Sequence, residues 1–77
     1  MRYRVYANIE GWKIVDVKLT LDDAMKVLDD VVSTGIEEFI LVESSREKGD
    51  IVIISTMRSY LNKKEELKKQ KIKRLGK

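Results

Sequence analysis

A chain of 77 residues with 16 Lys+Arg against 13 Asp+Glu suffices for one domain around one small core, in the size range where roughly 60% of the unfolded surface becomes buried. It contains neither Cys nor His, which removes disulfides, thiolate chemistry, Cys/His zinc sites and imidazole acid-base catalysis. Its longest apolar runs, Phe39 to Val42 and Ile51 to Ile54, are too short for a signal-peptide core or a membrane span, so a cytoplasmic protein without a membrane span is expected.

Residues 2 to 9 alternate, with Tyr3, Val5, Ala7 and Ile9 on one side and Arg2, Arg4, Tyr6 and Asn8 on the other, the period-two pattern of a strand with one core face. Gly11 supplies a turn residue, and residues 12 to 19 resume alternation, completing a first hairpin. Strict alternation there puts Val15, Val17 and Leu19 toward the core and Trp12 and Ile14 on the far face with Tyr6.

Thr20 has N-cap chemistry, with Asp23 three residues on and Leu19 placed as a hydrophobic staple, so a helix is predicted from Leu21. Leu21, Ala24, Met25, Leu28, Val31 and Val32 share one stripe, while Asp22, Asp23, Lys26, Asp29 and Asp30 lie outside it as solvated positions. Gly35 marks the end of the helix at Ser33 or Thr34. The β-rich runs 36 to 43 and 51 to 55, separated by the polar segment Ser44 to Asp50, predict a second hairpin. A last helix is expected from about Met57. In that helix Met57, Tyr60, Leu61, Leu67, Ile72 and Leu75 form an arc interrupted by Lys64, Lys68 and Lys71, so docking is expected only through Leu61, with a solvated helix beyond.

The order ββαββα predicts an α+β fold, a four-stranded and largely antiparallel sheet packed by one amphipathic helix and followed by a basic C-terminal helix. Charge divides the chain at the same place. Residues 1–55 form a compact body with 7 basic and 11 acidic side chains, a net −4, and residues 56–77 a helical tail with 9 basic and 2 acidic ones, a net +7.

The candidate chemistry is sparse. Asp22 and Asp29 share a helix face two turns apart, a spacing that could hold a cation or divide acid and base roles; solvent-side positions beside Lys26 are the simpler account. The loop Ser44 to Asp50 has the composition of an anion-holding turn, but it neither ends in Lys-Ser nor opens a helix. No catalytic, metal or cofactor site is expected. The sequence instead favours a non-enzymatic homodimer whose Lys63, Lys64, Lys68, Lys69, Lys71, Lys73 and Arg74 contact nucleic acid, or an acidic protein surface, as point charges. The rival is a protein-interaction or inhibitor module that binds through the second sheet face, centred on Tyr6, Trp12 and Ile14, with the tail only solubilising or assembling.

Overall fold

A computed structural model describes the backbone of residues 1 to 75 and the side chains through Gln70. The elements follow the expected order: β1 (Arg2–Asn8), β2 (Trp12–Lys18), α1 (Leu21–Ser33), β3 (Phe39–Ser45), β4 (Gly49–Ile54) and α2 (Met57–Leu75). The four strands form one sheet in the order β2-β1-β3-β4, with every neighbouring pair antiparallel. β2 and β3 flank β1 and therefore run the same way, which requires a crossover between them. α1 is that crossover.

The local signals explain the boundaries. Glu10 at φ 57° and Gly11 at φ 111° turn the first hairpin, and Asn8 Oδ1 accepts from the Gly11 amide at 3.0 Å. Thr20 Oγ1 caps α1 by accepting from Asp23 N at 3.2 Å, whereas Leu19 is 74% exposed and forms no staple. Thr34 closes the helix and Gly35 follows at φ 89°. The second hairpin has a shorter loop than its composition suggested, because β3 runs on to Ser45 and β4 begins at Gly49. Thr56 and Ser59 cap α2 reciprocally: Ser59 N donates to Thr56 Oγ1 at 3.0 Å and Thr56 N donates to Ser59 Oγ at 2.9 Å, a capping box with Ser in place of the usual Glu.

The core lies between the sheet and the helices. Tyr3, Val5 and Ala7 of β1, Phe39 and Leu41 of β3, and Ile54 of β4 meet Ala24, Met25, Leu28 and Val31 of α1, with Tyr60 of α2 closing one end. The Phe39 and Tyr60 rings meet edge to face, with centroids 6.0 Å apart at 76°, a favourable aromatic geometry.

Three positions depart from the sequence reading for one reason. β2 bulges opposite the step Val5/Tyr6, where Val5 pairs with Asp16 and Tyr6 with Ile14, leaving Val15 as the extra residue. A bulge shifts the phase of every side chain after it. Val17 therefore pairs with Arg4 on the face away from the helices, and Lys13, Asp16 and Lys18, opposite Ala7, Val5 and Tyr3, take the helix side. The expectation that Val15, Val17 and Leu19 enter the core is thus incorrect, as all three are exposed. A second bulge opposite Leu41/Val42 pairs Leu41 with Ile54 and Val42 with Val52, which sends Ile54 inward and Val52 outward.

α2 packs beside α1, antiparallel to it, on the same side of the sheet. Two of the lysines that interrupt its apolar arc, Lys64 and Lys68, face α1 and its aspartates. Lys64 Nζ lies 3.0 Å from Asp29 Oδ1, the Tyr60 hydroxyl donates to the same oxygen, and Lys68 lines a shallow groove with Asp22, Met25 and Leu67. Asp29 is therefore not a free solvated position. Docking extends to Leu67, which packs against the core, while Leu61 is exposed; the contact face of α2 runs through Tyr60, Lys64 and Leu67 at helical spacing.

Candidate functional site

With both helices on one side, the other side of the sheet has no cover among the described residues. The molecule spans 46 × 32 × 17 Å; its short axis accommodates one sheet and one helical layer, not a third layer, because packed layers lie about 10 Å apart. The pairing register states which side chains share the open face. Tyr6 lies between Ile14 and Ile40, Asn8 opposite Trp12, and Arg4 between Val17 and Val42, with Val52 beyond Val42.

The face has an apolar end and a polar end. At the apolar end Trp12 is 54% and Ile14 51% exposed beside half-buried Tyr6 and Ile40, and in the next row Val17 and Val52, 42% and 55% exposed, share a line across the sheet with Arg4 and Val42. At the other end Arg2 stands opposite Ser44, Arg4 Nη1 lies 3.4 Å from Asp50 Oδ2, and Ser44 Oγ donates to Asp50 Oδ1 at 2.7 Å. Tyr6, Trp12 and Ile14 are thus brought together as the sequence suggested. Val17 and Val52 complete the patch; alternation alone could not assign them, because each follows its strand's phase only once the bulge is known.

Of the seven basic candidates, the four whose side chains are described do not form one surface. Lys63 Nζ is 3.5 Å from Glu66 Oε2. Lys64 is held by Asp29 and lies 5.4 Å over the Tyr60 ring, within cation–π range. Hydrogen bonds to Asp29 and then to Tyr60 raise the Lys64 ammonium above its ordinary value of 10.5, and burial, followed by donation to Asp29, raises the Tyr60 phenol above 10.0. Lys68 and Lys69 are exposed. Lys71, Lys73 and Arg74 lie outside the residues whose side chains are described.

The remaining candidates carry less chemistry. Among the described residues no three Asp or Glu side chains gather to hold a metal; Asp22 and Asp29 instead line the groove with Lys26, Lys64 and Lys68. The loop Ser44 to Asp50 is closed by its own bonds, including Lys48 N to Ser45 Oγ at 3.0 Å, and the Asp50 carboxylate would repel an anion there. No helix among the described residues is long and apolar enough to cross a membrane. Comparison with protein-family models, with curated proteins and with solved structures finds no match, so any assignment of function rests on this geometry.

Proposed function

We propose that this protein is a non-enzymatic binding module whose working surface is the open face of its sheet, where it docks an apolar protein surface. One observation carries the reading: α1 and α2 lie on the same side, leaving Trp12, Ile14, Val17 and Val52 exposed on the other. A contiguous apolar patch of several hundred Å² is uncommon on a monomer unless it is used. The sheet supplies a rigid platform, Trp12 and Tyr6 are the aromatic anchors that dominate protein contacts, and Arg2, Arg4 and Asp50 form a polar rim.

A second reading keeps nucleic acid as the partner of α2. Its support is the net +7 of residues 56–77 together with the length of the helix. Nineteen residues span about 28 Å at 1.5 Å each, against about 20 Å for the 13 residues of α1, so the basic end extends past its neighbour. Against it stand the carboxylates already paired with Lys63 and Lys64 and the presence of Asp22 in the same groove as Lys68.

A photo-crosslinking side chain placed in turn at positions 14 and 69 in source cells separates the two. The open-face reading expects a protein adduct from position 14 that a Val17→Lys substitution in the same chain abolishes. Nucleic-acid adducts from position 69 with none from position 14 would reverse the assignment.

A further inference from the structure

Resting on that reading of the open face, we infer that its occupant is a second copy of this chain, in a two-fold dimer whose axis runs parallel to the strands between two facing sheets. Two observations point to this partner and this axis.

The first is the area. Trp12, Ile14, Val17 and Val52 are each about half exposed and Tyr6 and Ile40 partly so, which leaves on the order of 400 Å² of apolar side chain accessible per copy when a whole aromatic side chain counts as about 150–250 Å². Two such faces with their polar rims remove about 1,200 Å², the lower limit for a specific stable interface. The patch is therefore large enough for a copy of itself.

The second is the way polarity is arranged. A two-fold contact must be self-complementary. The face is apolar at the end bearing Trp12, Tyr6, Ile14 and Ile40 and polar at the end bearing Arg2, Ser44 and Asp50. An axis across the strands would lay the apolar end of one copy on the charged end of the other. It would bury Arg2 and the Arg4–Asp50 ion pair against apolar side chains that offer them no further partner, which is costly. An axis along the strands lays like end on like end. It also exchanges the two sides of the sheet, since the strand order is β2-β1-β3-β4: β1 faces β3 of the second copy, and β2 faces β4.

The register then fixes the contacts. Tyr6 sits over Ile40 of the second copy, Val17 over Val52, and Arg2 beside Ser44 and Asp50. Each contact occurs twice, and the charges that meet are of opposite sign. Facing sheets in such an aligned sandwich stand about 10 Å apart with strand directions within about 30°. Both helical layers, and both basic ends of α2, point outward.

Sedimentation velocity on the full chain, from low-micromolar to submillimolar concentration, tests the dimer. The wild type is expected as a two-chain species, with Trp12 emission shifting to the red on dilution. Val17→Lys and Ile14→Lys, both at exposed positions, are expected to sediment as single chains with the wild-type circular dichroism spectrum. Arg2→Glu and Asp50→Arg, each alone, should weaken the dimer on the order of tenfold by placing like charges together. Mixed in equal amounts, these two variants should form a heterodimer tighter than either homodimer, because both rim contacts then join opposite charges. Wild type that remains a single chain throughout, a dimer indifferent to Val17→Lys, or no gain on mixing would overturn the inference. A single chain that still gives the Val17-dependent protein adduct from position 14 removes the second copy and leaves the open-face reading intact; loss of that adduct removes the reading itself.

Discussion

Asp29 is the residue on which the two helices depend, since one carboxylate oxygen receives both the Tyr60 hydroxyl and the Lys64 ammonium. Tyr60→Phe keeps the ring against Phe39 and removes only the hydroxyl's bond, so chemical denaturation should report a loss of about 0.5–1.5 kcal/mol. Leu28→Ala, at a fully buried position, should cost about 2–5 kcal/mol, because a cavity is left as well as lost transfer energy. Asp30→Ala is the surface control and should change little, since Asp30 is exposed and its carboxylate packs against nothing in the core. The same pair of groups sets a pH dependence. Tyr60, Lys64 and Tyr3, the last raised by burial and then by Glu43, all bind their proton more tightly folded than unfolded. A raised folded-state value means that the stabilisation is complete below the unfolded value and disappears as pH rises through the folded one. Denaturation midpoints should therefore be level up to about pH 9 and decline above about pH 10, and Tyr60→Phe should make that decline shallower. An equal decline in both proteins would remove Tyr60 from the account.

The helix α2 is an element of two parts. Its first three turns belong to the domain through Tyr60, Lys64 and Leu67, and its N-terminus is fixed by the Thr56–Ser59 box. Thr56→Ala should cost about 1 kcal/mol and speed amide exchange in the first turn of α2 more than in α1. Truncation distinguishes the parts. A chain ending at residue 70 keeps Tyr60, Lys64 and Leu67 against the body and should retain wild-type stability, while one ending at residue 62 loses Lys64 and Leu67 and should unfold at clearly lower denaturant. Equal stability of the two would mean that α2 docks through Tyr60 alone. The strands raise a different matter, because β2 and β4 are both edges with unpaired backbone groups. Bulges at Val15 and Ile53 and, on β2, Lys13, Asp16 and Lys18 directed to the helix side are devices that discourage edge-to-edge pairing. They leave the face of the sheet, not its edges, as the surface of the proposed dimer.

For the molecule as a whole, charge and shape pull in different directions. A radius of gyration of 13.0 Å exceeds the roughly 11.5 Å of a compact chain of this length, as the overhang of α2 requires. If that basic overhang engages a duplex, neutralising about four phosphates would give a log-affinity against log-salt slope near −3.6. The binding would be indifferent to sequence, since lysines meet phosphates as point charges. Titration of labelled DNA and RNA at two salt concentrations measures this. The open-face proposal expects a shallower slope and an affinity that Ile14→Lys leaves unchanged, whereas a steep slope abolished by Lys68→Glu with Lys69→Glu would restore nucleic acid as the leading partner.

The element order, the Thr20 cap, the Gly35 stop and the stripe of α1 were legible from the residues alone, because each is set by local dihedral preferences and by periodicity within one element. The sequence also placed Tyr6, Trp12 and Ile14 on one face, since β1 and the start of β2 precede the first bulge. The features that could not be read this way are non-local. A bulge is a property of the pairing between two strands, so Val15 and Val17 could not be phased from β2 alone. Lys64 and Lys68, inside the apolar arc of α2, read as an interruption until Asp29 and Asp22 of α1 stood opposite them. The side of the sheet taken by α2 was likewise undetermined, because an arc of mixed apolar and basic residues fits either an apolar face or an acidic helix. The aspartates of α1 settle that choice by charge, and in doing so they leave the other face of the sheet open.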